Sequence, residues 1–240
     1  GLPFDLLQEW SFPPQDLVVH EPVDPGKRLL GIARSADGTE VFAATEDALY
    51  RVDLETFGCR RIADGLRPGE PVTVGSDLVG YAGDGGFWRY SPDSDVFTGD
   101  AMQLPDGDPT DRTFVRWAAG GGAQGRYVAD AAGNVCFVTP GGCGPRLASV
   151  PHPPVRAMTT APDGRLFGCA GEGIERFFVY DPDAKELRDL GVAVSVFERR
   201  RYGFAFGAAA TGRDGRLFFG EKDNLGHLWI YMPPCREALS

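Results

Sequence analysis

The chain is short of histidine, lysine and methionine, with three of each in 240 residues. Its bases are nearly all arginine, and acids exceed bases by 34 to 24, a formal net charge of −10. Duplex nucleic acid is therefore not an expected partner, because no basic excess is present to neutralise a phosphate backbone. Long apolar runs are missing too. None approaches the ~18 residues of a membrane span, so the chain reads as soluble with no membrane partner. The five cysteines are an odd number without a CxxC pair, and His20, His152 and His227 are far apart, so no structural zinc site is expected. No G-x-S-x-G elbow, P-loop, H-E-x-x-H or EF-hand pattern occurs, and no N-x-S/T sequon. The opening Gly1-Leu2-Pro3-Phe4 has neither the basic nor the apolar region of a signal peptide; secreted, periplasmic and cytoplasmic locations all stay open.

Glycine and proline are what the chain has in excess. Thirty-three Gly and nineteen Pro exceed one residue in five, against a usual combined share of about 12%. That density of turn formers argues against a helical bundle and for many short elements joined by tight turns. A hydrophobic share of 42% is that of an ordinary globular protein. The cysteines read as buried free thiols. Cys136 and Cys143, however, flank the turn Thr139–Gly142 and could meet across a hairpin as a disulfide.

Internal repetition organises the chain. Asp163–Tyr180 and Asp214–Tyr231 align without a gap, both opening DGRLF and both closing on an apolar triplet and Tyr. Asp37–Asp53 is a shorter copy, and Ser76–Tyr90 and Gln124–Val138 are weaker ones. The starts are 39, 48, 39 and 51 residues apart. Each unit reads as four strands. A small-residue strand precedes the Asp-Gly turn, and a second strand, a polar hairpin loop and an aromatic third strand follow it. A turn such as Asp181-Pro182-Asp183 then leads to a polar fourth strand, as at Glu186–Leu190. Four-stranded units of this length stacked about an axis make an all-β, five-bladed β-propeller of antiparallel blades in a single domain, 1–240. The expected blades are approximately 29–65, 66–105, 112–150, 154–191 and 202–233. The last unit stops short of its fourth strand, because Pro233 and Pro234 forbid an ordinary one. A strand from residues 5–20, with Asp16–His20 favoured over Asp5–Trp10, is expected to supply it and close the ring.

These repeats resemble the virginiamycin-lyase-like and gluconolactonase-like bacterial propellers in their "DG-x-apolar-aromatic … Tyr-Asp-Pro" units. The resemblance covers nearly the whole chain but rests on blade-forming residues, and the apparent blade number here is smaller. It implies the fold; no catalytic or metal-ligand set comes with it residue by residue.

The Asp-Gly turns and the hairpin loops fall at opposite rims, and the unusual polar content gathers at the hairpin rim. Its hairpins carry Glu172, Glu175, Glu221 and Asp223, which either hold a divalent cation or an acid–base pair, or are solvated turn residues. The crossing Glu198–Tyr202 carries three adjacent arginines, which either grip an anion or pair with those acids. His152, stiffened by Pro151, Pro153 and Pro154, and Tyr202 are the candidate catalytic bases. Arg116, Arg156 and Arg200, with Glu172 and Glu221, are the candidate ligand-binding residues. Arg116 and Arg156 stand on inner strands where small side chains otherwise dominate. The expected function is binding of a small anionic or sugar-like ligand in a polar axial funnel, extending to lyase or hydrolase chemistry on an anionic carbohydrate or lactone-like compound. The alternative is a non-catalytic propeller that presents its rim to a protein or glycan. Either way a monomer is expected.

Overall fold

The structure, a computed structural model, describes residues 24, 27–65, 70–83, 85–105, 114–120, 124–195, 201–223 and 226–234. Among these there is no helix, and the strands assemble into six antiparallel sheets, five of them one per repeat. Blade 1 comprises β1 (Leu29–Arg34), β2 (Glu40–Thr45), β3 (Ala48–Asp53) and β4 (Cys59–Asp64), paired in sequence order. Blade 2 follows with β5 (Val72–Val74), β6 (Asp77–Gly83), β7 (Gly86–Ser91) and β8 (Val96–Gln103). In blade 3, β9 (Val115–Trp117), β10 (Arg126–Asp130) and β11 (Asn134–Thr139) are regular. Its fourth strand is split into β12 (Gly142–Cys143) and β13 (Ala148–Ser149), both pairing with β11. Gly144-Pro145 lies at the split, where proline has no N–H to give the ladder. Blade 4 is β14 (Val155–Thr160), β15 (Leu166–Ala170), β16 (Arg176–Asp181) and β17 (Glu186–Val192). A two-stranded ladder, β18 (Val194–Ser195) with β19 (Arg201–Tyr202), occupies the crossing to blade 5. Blade 5 has three described strands, β20 (Phe206–Thr211), β21 (Leu217–Glu221) and β22 (Leu228–Tyr231). The expected closing strand from residues 5–20 lies outside the described residues.

The repeated sequence explains the repeated turn. In Asp163-Gly164 the glycine takes φ +87°, a left-handed conformation that a side chain resists. Asp163 Oδ1 accepts from Arg165 N at 3.1 Å and Oδ2 from Arg165 Nε at 2.8 Å, so the aspartate closes the turn on its own arginine. Asp214 and Arg216 repeat the arrangement. Small residues on the second strands serve packing instead. A Cβ on Gly80 would stand 2.1 Å from Trp88 Cζ2, so only glycine lets that indole lie flat on its own sheet.

Four apolar clusters fill the four successive blade interfaces. Phe42, Leu49, Leu78 and Trp88 join blades 1 and 2, while Val79, Phe87, Trp117 and Val128 join blades 2 and 3. Tyr127, Val135, Met158 and Phe178 join blades 3 and 4, and Phe167, Val179, Phe206 and Phe219 join blades 4 and 5. Side chains also lace the inner strands around the axis, each to its predecessor. Thr73 Oγ1 donates to Arg34 O, Arg126 Nε to Thr73 O, Thr159 Oγ1 to Ala119 O, and Thr211 Oγ1 to Thr160 O. Among the described residues no such bond joins blade 1 to blade 5.

Candidate ligand channel

The inner strands of all five blades line one axial cavity of about 890 Å³. It runs from Glu70 and Pro71, at the start of blade 2, to Ser35, Ala36, Gly75 and Ser76 beside the Asp-Gly turns. Small residues keep it open: Ala33, Ala118, Ala157, Gly207 and Ala208 face it where larger side chains would fill it. Four charged residues are in its described wall, Arg34, Arg116, Arg126 and Glu70, which leaves it cationic within a chain of net charge −10.

The three arginines are held differently. Arg34 gives Nε and Nη2 to Gly38 O, which fixes its fork against the first Asp-Gly turn. Arg126 gives Nε to Thr73 O at 3.1 Å and Nη1 to Ala118 O at 3.0 Å, spanning the inner strands of blades 2 and 3. Burial pulls its guanidinium below the ordinary arginine range, and the charge of Glu70 opposes that pull. Arg116 has no hydrogen bond or ion pair among the described residues, and its Nε is buried without an acceptor. A buried donor left unmatched is rare in a native fold and costs about 1–3 kcal/mol unless something accepts from it.

Arg126 was not among the sequence candidates, although the repeat holds the signal. Its counterparts Arg165 and Arg216 are each tied back to the aspartate of their own turn. In the third repeat that aspartate is Gln124, so Arg126 is released from the turn and reaches the channel instead.

Among the described residues, Arg116 is the one sequence candidate that lines the channel. Arg156 sits at a β-bulge in β14, where the register passes from Val155↔Ala170 to Ala157↔Cys169. Its Nε donates to Gly171 O at 2.8 Å, tying the inner strand to the next hairpin. The charges of Arg116 and Arg156 both bear on Cys169, whose thiol burial pushes well above its ordinary range, so the two guanidinium groups occupy one neighbourhood. His152 is exposed, and its charge bears on Asp189 of the outer strand β17, away from the axis. Arg176 is the main cause holding Asp189 below the usual carboxylate range, through a 2.8 Å hydrogen bond from Nε. Tyr202, in the β18–β19 ladder, is 45% exposed. Glu172 is exposed in its hairpin. Arg200, like Arg199, lies outside the described residues.

Glu221 is buried and knits blade 5 together: Oε1 accepts from Phe204 N and Trp229 Nε1, each at 2.9 Å, and Oε2 is 3.2 Å from His227 Nδ1. Glu175 is buried too, with Oε2 accepting from Ala205 N at 2.9 Å. Ligand atoms of Glu221, Asp223 and His227 all lie within 4.8 Å of one another, a set whose chemistry suits a divalent cation. Glu221 already spends both oxygens on blade contacts, so its first role is structural. The two acidic hairpin residues are thus hydrogen-bonded into the crossing between blades 4 and 5.

No protein-family model and no curated protein sequence matches the chain. Solved structures do. The extracellular domain of BT4673 from B. thetaiotaomicron, described as a one-component system, superposes with a TM-score of 0.64 at 12% identity. That match covers 92% of this chain and 29% of the other. A second structure of a BT4673 extracellular domain, described as a hybrid two-component system, gives 0.64 at 13% identity over 86% of this chain and 27% of that one. A structural-genomics protein of unknown function from Bacteroides thetaiotaomicron gives 0.56 at 15% identity, over 83% and 58%. The chain therefore spans under two thirds of these neighbours' lengths, and likeness at such identities establishes the propeller fold alone.

Proposed function

We propose that this propeller binds a small anionic ligand, a carboxylated or sulfated sugar or a related acid, in its axial channel. Arg116 carries the reading: its side chain lines a cationic cavity, and its buried Nε has no acceptor from the described protein. A carboxylate or sulfate in the channel would accept from the Arg116 guanidinium, and from the donors that Arg126 and Arg34 have left over, in a forked geometry that arginine favours. Binding is a better fit than chemistry. The described wall has one carboxylate and no histidine, tyrosine or cysteine, so it offers no pair of groups for proton transfer. The extracellular domains of signalling proteins among the structural neighbours are in keeping with recognition without turnover.

The test is calorimetric titration of the full chain with glucuronate and with inorganic sulfate. Binding that weakens with salt is the expected result. Arg116→Ala should abolish it and leave the melting temperature of the unliganded protein nearly unchanged. If Arg116→Ala binds as the wild type does, the channel reading fails. Arg126→Ala is a useful contrast, since it should lower both binding and stability by unlacing blades 2 and 3.

A further inference from the structure

Blade 3 holds two thiols that the channel does not use. Cys136 is buried on β11 and Cys143 is half-buried on β12. The β11–β12 register sets Cys143 opposite Val138. Cys136 is two residues back along β11 on the same face, which makes the cysteines diagonal neighbours across the hairpin. Both pack on the cluster between blades 2 and 3, and each is the main influence on the other's ionisation; Cys143 Sγ lies 3.6 Å from Gly144 O, to which it donates. The other described cysteines have no such partner. Cys59 is exposed on β4, and Cys169 donates to Ala157 O at 3.7 Å within blade 4.

We infer that Cys136 and Cys143 are a dithiol–disulfide pair, a redox modification site that closes the β11–β12 hairpin covalently when a disulfide oxidant is present. Cys143 is the attacking sulfur, being the more accessible. The neighbouring Cys136 thiol also draws Cys143 below the ordinary thiol range, while Cys136 is itself pushed above it. The Cys143 thiolate attacks one sulfur of the oxidant RSSR, forming a mixed disulfide and expelling RS⁻. Cys136 then loses its proton and attacks the Cys143 sulfur. The intramolecular S–S bond forms and a second RS⁻ leaves. The two cysteine protons end on the two released thiols, so one RSSR becomes two RSH as the pair is oxidised. The bridge would brace a hairpin on which blade 2 already leans, since Arg89 Nη1 donates to Pro140 O at 3.0 Å in its turn.

The experiment treats the full chain with oxidised glutathione, blocks remaining thiols with N-ethylmaleimide and maps the tryptic peptide Tyr127–Arg146, which holds both cysteines. The expected peptide carries neither maleimide nor glutathione, and prior reduction with dithiothreitol restores two maleimides. Cys136→Ser should trap glutathione on Cys143, whereas Cys143→Ser should leave the peptide free of it. Two maleimides after oxidation, a lasting glutathione adduct in the wild type, or oxidation confined to Cys59 would overturn the inference. The wild-type map decides this by itself should either variant fail to fold.

Discussion

Between blades 4 and 5, Phe167, Val179, Phe206, Leu217 and Phe219 are packed out of solvent. On the opposite face of blade 5, Leu228, Ile230 and Met232 are 64%, 52% and 69% exposed. Blade 1 mirrors this asymmetry. Its Phe42 and Leu49 are fully buried against blade 2, while Leu29 and Ile32 stand 53% and 61% exposed. Ala43, Ala48 and Tyr50 form a small cluster on that other side, joined by no described residue of blade 5. The repeat gives every blade two apolar faces, because its strands alternate between two packed neighbours. It specifies the chemistry of the faces and leaves open what covers the two that meet at the seam. Asp24 accepts a hydrogen bond from Tyr50 OH, so the preceding chain reaches blade 1 on the seam side. That bond and burial raise the Tyr50 hydroxyl to about 12.

The largest expected effect tests the packed side of this comparison. Phe219→Ala, at the blade 4–5 interface, should cost about 3–5 kcal/mol by urea denaturation, through lost burial and the cavity left behind. Next comes the seam. Removing residues 1–20 should lower the melting temperature, and Ile230→Ser should then cost more in the full chain than in the shortened one, a coupling that a double-mutant cycle measures. If the shortened chain melts unchanged and the two costs are equal, residues 1–20 do not cover the seam. The smallest effect concerns an exposed tie between blades 1 and 2. Asp95 accepts from Arg60 Nη1 and Nη2 at 2.9 and 2.7 Å and from Tyr90 OH at 2.7 Å, which lowers its carboxyl from 3.8 to about 2. A lowered folded pKa means that the tie stabilises the protein above pH ~4 and loses its effect as pH falls toward 2. Acid titration of the melting temperature should show that decline in the wild type and less of it in Asp95→Asn.

The blades were legible because the repeat states them several times over. The small-residue strand expected before the Asp163-Gly164 turn forms over Val155–Thr160, and Glu186–Leu190 lies within a fourth strand that extends to Val192. Less legible was the interruption at Gly144-Pro145, where a local backbone rule prevails over the repeat. In the channel, Arg116 could be picked out as a long cation among small inner-strand residues. Polar residues at the rims could not be sorted in this way. The prolines around His152 signal a stiff segment without giving its direction, and the acidity of Glu221 says nothing of the indole and amide that would claim it. Arg126 could have been found by asking which copy of the Asp-Gly-Arg turn had lost its aspartate.

The lacing of the inner strands runs mostly one way. Thr73, Arg126, Thr159 and Thr211 each reach back to the preceding blade, and Thr159 Oγ1 also meets Thr211 Oγ1 of the following blade at 2.7 Å. Every described bond of this kind is thus a nearest-neighbour bond, as in an open stack of repeats whose ends loosen before its middle. Blade 3, held from both sides, should be the last to exchange its amide protons, and blades 1 and 5 the first. The same backward lacing bears on how such a protein could grow. A duplicated blade placed after blade 5 would bring its own backward donor and leave each existing pair intact, so gene duplication could widen the ring without first dismantling it.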